Sequence, residues 1–509
     1  MHQSHCSIPA QRMRLASCML AHEGKYGMVS QLSREHDISR QSLYTLRSKG
    51  RKGMESVFYP KDCLTVAGVQ IRRAVLKLLT DGHASREGIQ QCIEEMLGVH
   101  VSLGAISAII HEAGKKAQEW LDQHIPEGMR ALVFDEQYSS QRGKAYLNIV
   151  DAHSSYVLVS APPVAVDGES WSILFLILQG QGVKWDIAVS DGGKAIGEAV
   201  REITPECVHQ RDVWHVLHEC QKVQGRVVRA TLGLHEQTPK VEQQAKRIAA
   251  GKKPLGRKPK TDVAAHAKDV QQMEYLATSL QYLTHELKQL LEIVVLAEQK
   301  ILSSGERQEE LDTLLRLFSE LCELAPSSIK KEVEKLVRHV QMALPHLVVF
   351  CQPLDQVQQS AVQQLGEAAV HLIGWAWLRR AILGPKTKPL VADFPPAWRP
   401  TVAELFAAWN EAVRSSSAVE NWHSILRPFI AVHRHLTADL LAILAVWHNH
   451  RVACRGIHKG QSPLMRAGLD KEPTDWLEAL GYPHLASASA GQGQSSIVPC
   501  EPEMESIAA

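Results

Sequence analysis

The sequence predicts a multi-domain α/β protein, with N-terminal helix-turn-helix modules, a mixed-sheet core, and a large all-α insertion that splits the core. Three observations predict it. The first 120 residues carry apolar positions at helical spacing broken by short turns. Strand-like apolar runs are confined to about 131–211, and from about 212 to 400 long amphipathic helices replace them. At 509 residues and 45% hydrophobic content, the chain can build roughly three or four domains with real cores. The boundaries read from these changes are 1–60 and 61–125 for two helix-turn-helix modules and 126–211 for the first part of the core. The insertion takes 212–400, the helices completing the core 401–470, and a partly disordered tail 471–509.

The first module runs from Tyr26 to Arg47. Ser39 can cap its second helix after the Asp37-Ile38 turn, and Val29, Leu32, Ile38, Leu43 and Leu46 form the buried face. That leaves Arg40, Gln41, Ser42, Tyr44 and Arg47 outward, followed by Lys49, Arg51 and Lys52, side chains able to bond base edges and phosphates in a major groove. The second module has a helix over Ile71–Leu79, another capped by Ser85 through Leu97, and a third containing Leu103, Ile106, Ile109 and Ile110 after the turn at Gly98. A basic helix face alone is more often merely solvated; two such units in tandem strengthen the DNA-reading interpretation.

Near residue 130 the period changes from helical to strand-like. Ala131–Asp135, Ala145–Asp151 and Tyr156–Ser160 read as a three-stranded meander with turns at Ser139–Lys144 and Ala152–Ser155. A helix over Glu169–Gln179 then leads to a strand, Trp185–Ser190, ending at Asp191-Gly192-Gly193, and such a crossover sets that strand parallel to the first. In the insertion, Met273–Leu302 and Gln308–Leu324 read as helices. The basic segment Gly251–Lys260, with Arg257 and Lys258, reads either as an exposed loop along DNA phosphates or as a solvated linker. Beyond Pro395-Pro396 the chain is helical again, with Arg414–His423 leading into Leu426–Cys454, and from Ser487 onward it reads as disordered.

Charge decides little, since 56 basic and 55 acidic residues nearly cancel. Ten cysteines scattered over a long chain do not suggest a disulfide scaffold. No secretory leader is evident, and Leu290–Ala297 and Ala369–Leu378 fall short of the roughly 20 residues that span a bilayer. The expectation is a soluble, cytoplasmic protein without a membrane partner.

The chemistry is read from carboxylates. Asp135 and Asp191 each end an apolar strand, where a side chain can leave the core for a cleft, and neighbouring strands would make them converge. Hard divalent cations bind carboxylate oxygens, and two such ions roughly 4 Å apart commonly run phosphodiester cleavage. A third acid is then needed. Glu420, in Ser415-Ser416-Ser417-Ala418-Val419-Glu420-Asn421-Trp422-His423, is the candidate, with Glu404 and Glu411 as nearby alternatives; Ser415–Ser417 can cap its helix. Glu136 and Asp151 read as structural or supporting acids.

The meander ending in Asp135, the Ser190-Asp191-Gly192-Gly193 turn and the Glu420-Asn421-Trp422-His423 helix together resemble the RNase H-like transposases with an Asp-Asp-Glu triad. The better match is the subgroup with a helical insertion between the second Asp and the Glu, as in hAT, Mutator-like and several bacterial insertion-sequence enzymes. Asp212-Val213-Trp214-His215 is similar to their companion motif, and Trp447–Arg451 and Gly460–Leu464 to their C-terminal segments. The resemblance covers 131 to about 466, the insertion matching in kind only. It implies an RNase H-like catalytic core in which Asp135, Asp191 and Glu420 hold two Mg²⁺ (or Mn²⁺) ions, supported by Asp212, His215, Asn421 and Trp422. It also implies cleavage and strand transfer at the ends of a mobile element, double-stranded DNA (element ends and target) as partner, a homo-oligomer on DNA, and a nucleoid-associated, bacterial setting.

Two alternatives stay open: a catalytically inactive, domesticated transposase-derived DNA-binding protein, and an RNase H-like nuclease without strand transfer. A zinc site from Cys207, His209, His215, His218 and Cys220 offers suitable ligand types, but the spacing fits no known finger and the set spans a strand and the next helix. Trp375, Trp377, Trp409 and Trp422 are either core aromatics or platforms for unpaired bases.

Overall fold

The computed structural model describes residues 9–58, 61–256, 260–380, 390–456, 458–469 and 473–484. Arg257, Lys258 and the tail from 485 onward therefore lie outside the described residues. The chain divides into two compact units, Met1–Ile109 with Leu477–Ala509, and Ile110–Trp476. Among the described residues no helix is long and apolar enough to cross a membrane.

The first unit is helical: α1 Pro9–Ala21, α2 Met28–Glu35, α3 Arg40–Phe58, α4 Lys61–Thr80 and α5 Arg86–Leu97, with the start of α6 (Leu103–Gln123). Leu15, Met19, Leu32, Ile38 and Leu43 form one core, so α1, absent from the sequence reading, closes the apolar face of α2 and α3. A Cβ on Gly50 would lie 2.7 Å from that of Ala16, so glycine sets how closely α1 and α3 pack. Ser39 Oγ accepts from the Ser42 amide at 3.1 Å and Ser85 Oγ from Gly88 at 3.1 Å, both as N-caps. Lys49, Arg51 and Lys52 belong to α3 itself, which continues beyond Arg47 to Phe58.

The second unit is built on one mixed sheet: β1 Ala131–Tyr138, β2 Lys144–Asp151, β3 Val157–Ser160, β4 Val164–Ala165, β5 Ile187–Ser190 and β6 Val208–Arg211. Its order is β3-β2-β1-β5-β6, with β4 also pairing β2. β1 and β2 are antiparallel with Asp135 opposite Asn148. β1 and β5 are parallel with Val133 opposite Val189, as are β5 and β6 with Ser190 opposite Arg211. Helix α7 (Gly168–Gly180) makes the crossover and α8 (Lys194–Ile203) follows β5. Period-two alternation sends Leu132 and Phe134 into a core with Trp171, Phe175 and Trp185, where the Phe134 and Phe175 rings lie 4.8 Å apart. Asp135 therefore points to the opposite face.

The insertion is α9 Val213–Ala249, α10 Val263–Leu290, α11 Ser304–Leu324, α12 Lys330–Ala343, α13 Gln352–Leu365, α14 Glu367–Leu378 and α15 Arg399–Glu411. The single helix expected over Met273–Leu302 is interrupted after Leu290: a small antiparallel pair, Leu296–Ala297 with Lys300–Ile301, intervenes, because buried Val294 and half-buried Leu296 and Ile301 pack against α14. The chain then returns through α16 Ser417–His433 and α17 Ala438–His450. The continuous helix expected over Leu426–Cys454 is broken between them by Arg434, at φ 57°. On α17, Asn449 accepts from the Val157 amide at 2.8 Å and donates to its carbonyl at 3.1 Å, so a side chain satisfies the outer edge of β3.

Candidate active site

Asp135 sits on β1 where the strand passes from buried to exposed, 7% accessible, with Oδ1 accepting from the Glu136 amide at 2.8 Å. Asp191 follows β5 directly, and its Oδ1 accepts from the Gly193 amide at 2.8 Å. Gly192 is at φ +84°, and a Cβ there would fall 1.4 Å from the Arg211 guanidinium, which donates to the Gly192 carbonyl at 2.9 Å. That packing accounts for glycine at 192 in the turn.

Glu420 lies in the first turn of α16, where a negative charge favours the helix dipole. Arg427 is 3.6 Å and His215 3.9 Å from its carboxylate. Glu404 and Glu411 are exposed on α15 and belong to no acidic cluster among the described residues.

Two groups of potential ligand atoms emerge, each with its atoms within 4.8 Å of one another: Asp135, Glu136 and Asp191, and Asp135, Glu420 and His423. Asp135 belongs to both. Burial, and then the charge of Asp191, push its carboxyl up from 3.8 to about 8. Burial and Asp191 also raise Glu136, partly offset by a 3.0 Å hydrogen bond from Trp171 Nε1. Burial and Arg427 lower His423 to about 4, so its ring is neutral at ordinary pH. Repulsion that a divalent cation would relieve is thus centred on Asp135.

The long excursion between Asp191 and Glu420 is stapled shut at its root. Asp212 caps α9, with Oδ1 accepting from Trp214 at 2.6 Å and His215 at 3.3 Å, while Oδ2 accepts from the Ser416 amide at 2.9 Å and from its hydroxyl. The Val213 amide donates to the Arg414 carbonyl at 3.0 Å, and Arg414 pairs with Glu292 at 2.7 Å. Ser416 therefore serves Asp212 and does not cap α16 with its side chain, as the serine run had suggested.

Residues 67–233 match the family model described as transposase, Mutator family. That match supports a transposase of a mobile element. It covers about one third of the chain, and carries Asp135, Asp191, Asp212 and His215 but stops before Glu420. No curated protein matches the chain.

One contributor had no distinct sequence signal. Asn148, opposite Asp135, accepts from Trp422 Nε1 at 2.9 Å and from Ser160 at 2.7 Å, and its amide faces His423 Nε2 at 3.1 Å. It thereby docks α16 on the sheet. Glu136 joins the acidic cluster directly, whereas Asp151 binds the Ser154 amide at 2.7 Å as a turn residue. Asn421 is exposed beside Glu420.

Burial bears on the readings left open. Trp377, Trp409 and Trp422 are buried and cannot offer a ring face to a base; the one exposed tryptophan among the described residues is Trp214, stacked on His218 at 4.7 Å. The zinc ligands do not assemble. Cys207 lies in the sheet core and Cys220 in the insertion core, each thiol pushed up to about 12 by burial, and no three of the five residues converge. On α3, Arg40, Gln41, Ser42, Tyr44, Lys49 and Lys52 are exposed, but Arg47 and Arg51 are drawn to Glu23, Arg47 at 3.4 Å.

Proposed function

We propose that this transposase cuts DNA at the ends of its element and joins those ends to target DNA with one carboxylate site, Asp135, Asp191 and Glu420, on an RNase H-like core. The observation that carries the reading is the shared position of Asp135 between two ligand groups, which is what a carboxylate bridging two ions requires. The donors are predominantly hard oxygens, which suit Mg²⁺ or Mn²⁺. Asp135 and Asp191, with Glu136, would hold one ion; Asp135 and Glu420 the other. When bound, the pair would supply Lewis-acid stabilisation of the attacking and leaving oxygens in an in-line displacement.

The chain's own residues have separate tasks. His423, neutral and 3.6 Å from Asp135 Oδ2, holds the rotamer of that carboxylate, with Asn148 behind it. Asp212 keeps Ser416, and so the start of the Glu420 helix, at the site. His215 faces Glu420 from the head of α9. The exposed side chains of α3, Arg40, Gln41, Ser42, Tyr44, Lys49 and Lys52, are assigned to recognition of the element ends, in a homo-oligomer that brings two ends together.

The test is cleavage of the element's own ends in Mg²⁺ or Mn²⁺ by the wild type and by Asp135→Asn, Asp191→Asn and Glu420→Gln. The reading expects wild-type nicking at the ends and three variants that bind but do not cut. Retained cutting by Glu420→Gln alone would reassign the third ligand. Tight binding with no cutting by the wild type would identify a DNA-binding protein derived from a transposase, and cutting without joining a nuclease.

A further inference from the structure

We infer that the groove between α9 and α12, opening beside Asp191, is a subsite for backbone phosphates of the DNA strand next to the one being cut; this rests on the proposed cleavage of DNA at the carboxylate site. The groove has a volume of about 420 Å³ and includes Asp191 in its wall. Helical spacing builds its sides. His215, Lys222 and Arg226 fall at i, i+7 and i+11 on one face of α9, and Lys335 and His339 at i and i+4 on α12.

Two features point to an anion. Arg226 and Lys335 have no ion-pair partner among the described residues, whereas Lys222 is held by Glu219 at 2.6 Å. Nε2 of His339, in the groove wall, is buried without a hydrogen-bond partner. A buried ring nitrogen ordinarily finds a partner, and with its hydrogen on Nε2 the His339 ring can donate to a non-bridging phosphodiester oxygen beside the cations of Arg226 and Lys335.

The source is a strand and not free phosphate, for an electrostatic reason. The groove ends on the Asp191 carboxylate and carries Glu219 and Glu332 in its walls, so an isolated dianion meets repulsion, while a singly charged phosphodiester is held in place by its neighbours along the strand. Its position would fix the path of DNA leaving the carboxylates along the insertion.

The experiment uses the full chain and a duplex of arbitrary sequence, since phosphate contacts carry no sequence information. The logarithm of the binding constant is followed against the logarithm of salt concentration for wild type, Arg226→Ala, Lys335→Ala, the double variant, and Arg316→Ala as an exposed cation on α11. Each groove variant should reduce the slope by about 0.9 and the double variant by about twice that, with Arg316→Ala and all melting temperatures unchanged. Nicking of a plasmid carrying the element ends in Mg²⁺ is measured in parallel. Unchanged slopes with intact wild-type nicking overturn the subsite and leave the catalytic reading standing; reduced slopes without nicking do the reverse. If slopes are unchanged but inorganic phosphate raises the melting temperature of the wild type and not of the double variant, the groove takes free phosphate and the inference is wrong.

Discussion

Asp135 on β1 and Asp212 at the head of α9 are both buried, at 7% and 1% accessible, yet their surroundings are opposite. Asp212 receives four hydrogen bonds, three from backbone amides and one from the Ser416 hydroxyl. Asp135 receives one amide bond, and burial first, then the facing charges of Asp191, Glu136 and Glu420, raise its carboxyl to about 8. A buried carboxylate that is fully hydrogen-bonded joins distant segments; one surrounded by other carboxylates stores repulsion that a cation can release. The first is architecture, and the second is the arrangement that the proposed chemistry would use.

The largest effect expected from breaking this contrast is on catalysis. Asp135→Asn and Asp191→Asn should each lower Mg²⁺-dependent strand cleavage by on the order of 10³-fold or more, the loss of several kcal/mol of transition-state stabilisation, with duplex affinity retained in a gel-shift titration. Asp212→Ala should act first on stability. It removes an N-cap and strands the Ser416 amide, a loss of about 3 kcal/mol, seen as a lower melting temperature and faster hydrogen exchange at Ser416; cleavage falls because the Glu420 helix loses its anchor.

The pH response should separate the two aspartates. A carboxyl raised above its ordinary value favours the protonated fold, so its stabilising contribution is complete below 3.8 and is lost as pH rises through about 8. In EDTA, the melting temperature of Asp135→Asn relative to wild type should therefore climb between about pH 4 and pH 8 and end a few degrees higher. Saturating Mg²⁺ should abolish that advantage, and affinity for the ion should fall about tenfold per pH unit below 8, because one proton is displaced. A flat difference would show that Asp135 is not held in repulsion. Smallest is Trp422→Phe, which removes the bond to Asn148 and should cost about 1 kcal/mol without changing affinity for an oligonucleotide with an unpaired base; a selective loss of that affinity would restore the stacking role.

Much of the sheet domain was legible because its signals are local. The apolar runs at 131–135, 145–151, 156–160 and 185–190, the polar turns and the crossover helix indicated a meander followed by a parallel strand, and β1, β2, β3 and β5 pair in that way. The acids at strand ends could be named for the same reason. Interrupted helices were less legible: the break after Leu290 comes from packing against α14, 80 residues later, and the one at Arg434 from a left-handed backbone that carries no glycine to announce it.

The partners of the site residues were not legible at all. Nothing adjacent to Asn148 indicates that it meets Trp422 and His423 some 275 positions on, nor does Asp212 announce Ser416, 204 positions away. Exposure misled in the same way, as Trp422 is sealed against the sheet, Trp214 stands open, and Arg47 and Arg51 turn to Glu23. Residue type and short-range period are properties of a few neighbouring positions, and they were enough to specify strands and helix faces and to nominate acids for the proposed site. Which acids share one cation's reach, and which aspartate is satisfied and which repelled, depends on contacts between segments that only the folded chain brings together.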